Sequence, residues 1–239
     1  APVNNWAMAM SIDTLDGYEA VLTTRQSQFF NAMAGDPPDA RVFSRRWRTP
    51  NWGTRLLGVG RYLGGDDLNN FTVPPKSPDN FETPIFDDDN ALPRAFLATG
   101  VRHLPAGEML PTLASGNFDP WREVLVEDVH RSDDEPAMPM RHIPLVATRD
   151  SPNHILVDVK NTGPGLVVVL DAPYPGWKAF VDDVEVPLSA VNLLAKGAWV
   201  TTGSQVVRFV FSPKSVFIGA VISILSWLLL SVLWRRRRS

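Results

Sequence analysis

Aromatic side chains at two places in the chain could bind a sugar. Tyr174 and Trp177 belong to the run Tyr-Pro-Gly-Trp, and Trp47 and Trp52 lie in a loop-rich stretch closer to the N-terminus. The C–H face of a sugar ring is apolar and its rim is polar, so an aromatic face beside a few polar groups suits it. These four residues are therefore candidate substrate-binding residues.

Trp177 has a second interpretation, as a core residue. Alternate residues of a strand share a face, which places Trp177 with Ala179 and Val181. That face would fill a core beside Val157 and Val168, because large apolar side chains are usually buried. The alternation favours the core position, and the sugar platform stays open.

One basic cluster precedes the C-terminal tail. It is Arg45-Arg46-Trp47-Arg48. Guanidinium groups bind phosphates through paired hydrogen bonds, so Arg46 and Arg48 could meet a lipid phosphate or an anionic polymer. A solvated loop explains the same residues equally well, and neither interpretation is preferred.

Metal and cofactor chemistry has little support in the sequence. The run Asp87-Asp88-Asp89-Asn90 offers oxygen ligands but lacks the spacing of an EF-hand loop, so we expect a solvated turn. The histidines are far apart, at His103, His130, His142 and His154. The absence of cysteine excludes disulfides and thiolate metal sites. We expect no metal or cofactor site and assign no catalytic residue.

The C-terminal stretch has the composition of a membrane span. Val216 to Trp234 contains no charged side chain, and Arg235, Arg236, Arg237 and Arg238 follow. At 1.5 Å per residue this stretch forms a helix of roughly 28 Å, about the thickness of the hydrocarbon core of a bilayer. Arginines resist translocation, so we expect a cell-membrane protein with residues 1–213 extracytoplasmic and the C-terminus cytoplasmic. Trp234 and the four arginines would then lie at the membrane interface.

Charge and topology together limit the partners. The formal net charge is −3, and without the four terminal arginines the remainder is more acidic still. Acidic surfaces repel phosphate backbones, so nucleic acid is a poor partner. Export of the outer part requires a signal peptide or transmembrane helices, and the opening residues resemble neither. We therefore expect a longer protein, with the lipid bilayer and upstream transmembrane segments of the same protein as partners.

The pattern of elements predicts an α+β protein. Residues 1–130 read as a mixed α/β extracytoplasmic portion and residues 131–140, charged and proline-containing, as a linker. Residues 141–213 show short strands at close spacing, typical of an antiparallel β-sandwich, with Asp182-Asp183 at a hairpin turn. Residues 214–239 form the transmembrane helix with its arginine tail.

Several runs, in order along the chain, resemble those of one family. They are Asp16-Gly17-Tyr18, the stretch 56–63, Asn90-Ala91-Leu92-Pro93-Arg94-Ala95-Phe96, the hairpin Tyr174-Pro175-Gly176-Trp177-Lys178-Ala179-Phe180-Val181-Asp182, Asn192, and the strand 206–215 that leads into the membrane. As an ordered set covering nearly the whole chain, they resemble the C-terminal region of YfhO-type bacterial membrane proteins. The chain departs from that pattern at two turns, where Asp183 replaces a glycine and Thr202-Gly203-Ser204 replaces a longer motif.

The resemblance implies a multi-span glycosyltransferase of the C type. Such an enzyme uses a lipid-linked sugar to modify a cell-envelope acceptor, and its catalytic acidic residue is implied to lie in an early outer loop. This part would aid recognition of the lipid-linked sugar or an envelope glycopolymer rather than perform the chemistry. The alternative is a membrane-anchored carbohydrate- or protein-binding module without catalytic activity. An anchored hydrolase has only scattered carboxylates in its favour.

Overall fold

The computed structural model describes residues 23–40, 50–63, 85–127 and 142–236. The helices are α1 (Thr24–Ala34), α2 (Trp52–Leu56), α3 (Ala106–Ala114) and α4 (Lys214–Arg236). The strands are β1 (Arg61–Leu63), β2 (Ile85–Asp87), β3 (Ala95–Ala98), β4 (Val101–His103), β5 (Val124–Val126), β6 (His142–Leu145), β7 (Ala147–Ser151), β8 (His154–Asp158), β9 (Gly165–Val169), β10 (Trp177–Val181), β11 (Val184–Val186), β12 (Ser189–Val191), β13 (Ala195–Val200) and β14 (Val206–Phe211).

Helix α1 has capping residues at both ends. The Thr23 side chain accepts a hydrogen bond from the backbone of Gln26, whose side chain accepts one from the Thr23 backbone in return. Gly35 ends the helix in the left-handed conformation, with φ 79°. These local signals fix the start and the end of α1, and its buried residues face the sheet.

Two large sheets form the body of the fold. The seven-stranded sheet has the order β4-β5-β12-β13-β9-β3-β6 and the five-stranded sheet the order β11-β10-β14-β8-β7. Their pairings are antiparallel except that between β4 and β5, which are joined through α3. A separate two-stranded ribbon pairs β1 with β2.

The central strands of the larger sheet are buried on both faces. In β3, Phe96 packs into a core shared with α1, α2 and α3, whereas Leu97 packs into the core between the two sheets. Strand β9 alternates in the same way, with Val168 facing the helices and Val167 facing the smaller sheet. The result is three layers: helices, the seven-stranded sheet and the five-stranded sheet.

This architecture confirms the predicted α+β class, with sheets packed as a sandwich and a C-terminal apolar helix. The seven-stranded sheet takes β3, β4 and β5 from the N-terminal portion and its other strands from residues after 141. The predicted boundary at residue 130 therefore does not separate two sheets. The linker at 131–140 lies outside the described residues.

The hairpin between β10 and β11 has the two-residue turn that its sequence indicates. Val181 pairs with Val184, and both turn residues are left-handed, with φ 47° at Asp182 and 72° at Asp183. Two successive positive φ values are typical of a type I′ turn, whose twist matches that of the strands. An aspartate therefore occupies the position where glycine has no steric cost.

Asn192 connects two neighbouring strands of the larger sheet. It lies in the turn between β12 and β13 with φ 46°. Its side-chain oxygen accepts the Leu125 N–H at 2.8 Å, and its own N–H donates to the Leu125 oxygen at 2.8 Å. This double contact attaches β5 to the hairpin.

Helix α4 is long and apolar enough to cross a membrane, and it is the one such helix among the described residues. The rest of the chain buries none of its apolar window. Its large side chains are exposed, including Trp227 at 72% and Trp234 at 57%. A soluble protein rarely exposes such a continuous apolar surface, so the helix requires a covering of lipid or other apolar surface.

The three-layer packing predicts that the adjacent residues Phe96 and Leu97 both contribute strongly to the stability of the fold. Phe96 and Leu97 fill different cores, so Phe96→Ala should lower the free energy of unfolding by about 3–5 kcal/mol and Leu97→Ala by about 2–5 kcal/mol. Urea titration of the full chain in detergent micelles, followed by near-ultraviolet circular dichroism, measures both. The control is Val184→Ala, at a side chain 66% exposed. If either core variant were as mild as this control, the three-layer description would be wrong.

Candidate functional site

The basic cluster predicted from the sequence lies outside the described residues. Arg46, Trp47 and Arg48 all belong to it. Trp52 is described: its ring packs edge-on against Phe29 at 5.2 Å, at the margin of the helical core. Trp52 is therefore in a different layer from Trp177, and the two do not share one surface.

The acidic run after β2 is held by ion pairs rather than fully solvated. Asp87 accepts a hydrogen bond from Arg61 and Asp88 one from Arg55, both at 2.8 Å. The Asp88 side chain is only 4% exposed. The expectation of a solvated turn is thus wrong for Asp88, because Arg55 compensates its burial.

The described histidines serve separate contacts. His142 stacks on Phe96 at 4.5 Å, with its Nε2 2.6 Å from the Pro120 oxygen, and His154 bonds Asp150 at 2.8 Å. Within the described ranges, no group of three His, Asp or Glu side chains could hold a metal ion.

Tyr174 and Trp177 lie together in the loop that connects the two sheets. This loop leaves β9 in the larger sheet and enters β10 in the smaller one, with the Trp177 N–H donating to the Tyr174 oxygen at 3.3 Å. Tyr174 is 37% exposed and donates its hydroxyl to the Gln26 side chain at 2.9 Å. Trp177 is half-buried against the core between the sheets.

Trp177 has the core position that the alternation favoured, and it makes a further contact through its ring. It packs on the cluster that contains Val157, as the alternation indicated. Val168, however, faces the helical core on the other side of the sheet, so it is not a neighbour. The Trp177 ring also lies 5.3 Å from the Phe211 ring and takes a cation on its face.

That cation is the amine of Lys196, which sequence reasoning missed. Lys196 is in β13, and its side chain is fully buried between the sheets. Its Nζ lies 3.0 Å from the centroid of the Trp177 ring and 2.9 Å from Asp171 Oδ2. A buried ammonium group requires such partners, because removal from water is costly for an isolated charge. An inward-facing lysine in a strand of small and apolar residues was the signal that could have identified it.

Asp171 receives two further cations. Arg149 Nη2 lies 3.3 Å from its Oδ2, and Arg94 Nη2 lies 3.9 Å from its Oδ1. Arg94 also donates to the Leu170 carbonyl. The three cationic side chains come from β7, from β13 and from the residue before β3. We call Arg94, Arg149, Asp171, Trp177 and Lys196 the Lys196 cluster.

Burial lowers the pKa of the Lys196 amine from 10.5 to about 8. Loss of hydration is the largest cause, and the positive charges of Arg149 and Arg94 act in the same direction. The charge of Asp171 and its hydrogen bond oppose both effects. The ammonium form therefore persists at neutral pH.

The Lys196 cluster lies at the end of the sandwich where the apolar helix begins. Trp177 pairs with Phe211, the last residue of β14, and α4 starts three residues later at Lys214. The Ser212 N–H donates to the Gly176 oxygen at 2.8 Å. The loop that carries Tyr174 and Trp177 is thus attached directly to the junction between β14 and α4.

At this end of the sandwich an aromatic face, a carboxylate and two partly exposed guanidinium groups lie together. Such a combination suits recognition of a polar ligand that also has an apolar face.

No family model, no curated protein and no solved structure matches the chain.

The Lys196 amine gives stability a defined pH dependence. Its pKa is about 8 in the folded protein and 10.5 in the unfolded chain, so between these values the unfolded chain binds more protons. The free energy of unfolding contributed by this group therefore rises with pH across that window. We expect the protein to gain at least about 1 kcal/mol relative to Lys196→Met between about pH 8 and about pH 10. Urea titrations of both proteins across the window measure it, and a flat or falling difference would contradict the assignment.

The junction predicts a steric effect at Gly176. An added Cβ would lie 2.9 Å from both Cα and Cβ of Pro213, at a residue with φ 112°. Gly203 has a similar φ of 93° but nothing within 4 Å of such a Cβ. Gly176→Ala should therefore lower the melting temperature more than Gly203→Ala, since both substitutions share the backbone strain and only the first has the clash. Equal losses would show that the loop does not rest on Pro213.

Proposed function

We propose that this chain is the outer C-terminal part of a polytopic membrane glycosyltransferase of the YfhO type, and that it recognises a lipid-linked sugar. The carrying observation is the position of the Lys196 cluster. Aromatic and charged side chains of this cluster lie near the start of α4, the helix that would cross the membrane in this proposal. A sugar attached to a membrane lipid would be presented at that level.

The proposed topology puts α4 across the bilayer, with the arginine tail in the cytoplasm and residues 1–213 outside. Two observations support it. None of the apolar window of α4 is buried against the rest of the chain, and Trp234 is exposed beside the arginines, as interface residues are. Residues 214 and 215 would then lie at the outer surface of the membrane.

The Lys196 cluster has the parts that sugar recognition requires. Tyr174 contributes an aromatic side chain that is 37% exposed, and the half-buried Trp177, which holds the Lys196 amine on one face of its ring, lies in the same loop. Asp171 and the guanidinium groups provide charged partners for hydroxyl groups on the rim of a sugar. The proposal assigns recognition to this chain, whereas the resemblance implies that the sugar-transferring residues lie upstream.

The test is binding of a lipid-linked sugar to the full chain in detergent micelles, measured by native mass spectrometry. The probe is a polyprenyl-phosphate-linked hexose, and the reference is the same polyprenyl phosphate without sugar. We expect the glycosylated lipid to bind more tightly than the bare lipid. Trp177→Leu should weaken binding of the glycosylated lipid roughly tenfold, which corresponds to about 1.4 kcal/mol.

The control is Trp121→Leu, because Trp121 is a tryptophan that is 36% exposed and whose ring N–H donates to the Asn90 oxygen rather than to a residue of the Lys196 cluster. It should leave the sugar preference unchanged. Equal binding of the glycosylated and the bare lipid would contradict sugar recognition and favour a membrane-anchored module for another partner.

A further inference from the structure

We propose that the side-chain amide of Asn192 binds a neutral, water-sized oxygen in a small cavity between the helices and the larger sheet. The oxygen belongs either to an internal water molecule or to the hydroxyl group of a small alcohol. This inference is independent of the proposed function, because the cavity lies on the helical face of the sheet and the Lys196 amine on the other face.

Asn192 Nδ2 is a buried hydrogen-bond donor without an acceptor among the described residues. The residue is only 3% exposed, so bulk water does not solvate its amide. A buried amide N–H without an acceptor loses the hydrogen bonds that water would provide. Buried polar groups are almost always paired with the protein or with an ordered molecule, so Nδ2 calls for a bound acceptor.

The orientation of the amide is fixed by its other hydrogen bonds. Oδ1 accepts the Leu125 N–H at 2.8 Å, and a flipped amide would instead point one donor at another. The Asn192 N–H donates to the Leu125 oxygen at 2.8 Å, and the Asn192 carbonyl accepts the Leu194 N–H at 2.9 Å. Nδ2 is therefore the one polar atom of Asn192 that remains for a ligand.

Asn192 lines a cavity between the helical layer and the larger sheet. The space open to the centre of a water molecule measures about 10 Å³, which is at the lower limit for one water. The other walls are apolar and consist of Phe29 from α1, Leu56 and Leu57 at the end of α2, Leu170 after β9, and Leu194 and Ala195 next to Asn192. The cavity thus offers one small space beside one polar side chain.

The properties of this cavity select a neutral acceptor. A free N–H requires an acceptor, and none of the described residues that line the cavity is charged, so an anion would lose its hydration without compensation. The size restricts the polar group to one oxygen. The empty space including the mouth of the cavity is about 210 Å³, so the carbon atoms of a small alcohol can lie against the apolar walls. Water and an alcohol hydroxyl both meet these conditions.

The turn that carries Asn192 keeps Nδ2 at the cavity. Asn192 and Leu193 both have left-handed backbone conformations, with φ 46° and 68°. Asparagine tolerates this conformation, whereas it is unfavourable for leucine. Leu193 is nonetheless only 5% exposed and packs in the helical core. Its burial and the double contact with Leu125 hold the turn in place, so the amide does not swing out to solvent.

The experiment is nuclear magnetic resonance on the full chain in detergent micelles, with the asparagine side chains labelled with ¹⁵N. Rotating-frame Overhauser spectra detect protons close to the Nδ2 protons and separate direct contact from chemical exchange. We expect a direct cross-peak from Asn192 Nδ2 to water in aqueous buffer, or to the ethyl protons of ethanol when ethanol is added as the probe alcohol.

The internal control is Asn161, which is exposed and also lies in a turn with a left-handed φ, 61°. Its Nδ2 protons should show exchange with solvent and no lasting direct contact. The matched variant is Leu57→Phe, which adds volume to the wall of the cavity and leaves Asn192 in place. It should abolish the direct cross-peak of Asn192. An unchanged Leu125 amide signal confirms that the bond to Oδ1 is intact.

Each outcome decides the proposal. A water cross-peak that persists in ethanol identifies an internal water, and one replaced by an ethanol cross-peak identifies an alcohol site; both support a bound oxygen. Wild-type protein in which Asn192 Nδ2 contacts neither water nor ethanol would overturn the site. A direct cross-peak that survives Leu57→Phe unchanged would show that the oxygen is not in this cavity and would overturn it as well.

Discussion

The interaction on which the end of the fold next to α4 depends is the contact of the buried Lys196 amine with Asp171 and Trp177. An ammonium group between two sheets is unfavourable unless a carboxylate and a ring face compensate its lost hydration. The 2.9 Å bond to Asp171 and the 3.0 Å approach to the Trp177 ring provide both. Asp171 follows the end of β9 and Trp177 begins β10, so the Lys196 amine contacts both ends of the loop between the sheets.

This loop also contacts the residues that lead into α4. Gly176 lies so close to Pro213 that no side chain fits between them, and its carbonyl accepts the Ser212 N–H. Trp177 and Phe211 pair on neighbouring strands immediately before α4. The orientation of α4 and the shape of the Lys196 cluster are therefore connected through few residues.

Local sequence patterns predicted some of the strands, whereas others form because they pair with strands far away along the chain. The continuous apolar run at 165–169 is typical of a strand buried on both faces, and β9 is one. The Asp182-Asp183 turn and strand β10 also followed from local sequence. By contrast, strands β6 and β7 were not predicted, because His142–Leu145 and Ala147–Ser151 contain proline and charges and gain their order from partners far along the chain.

The candidate site was likewise predictable from the sequence only in part. Tyr174 and Trp177 were identified by residue type, but nothing local indicates that Arg94, Arg149 and Asp171 meet. Those contacts exist because the start of β3, the middle of β7 and the residues after β9 lie at the same end of the sandwich. Lys196 could have been noticed as a lysine at an inward position of a strand. Its contact with Trp177 depends on the packing of the opposite sheet, which the local sequence does not indicate.

The most direct test of this account is a titration of the Lys196 amine itself, by nuclear magnetic resonance on the full chain in lipid nanodiscs. The account predicts a pKa near 8, well below the ordinary 10.5, because burial disfavours the charged amine. A lysine that titrates at its ordinary value would contradict the buried contact with Asp171 and Trp177.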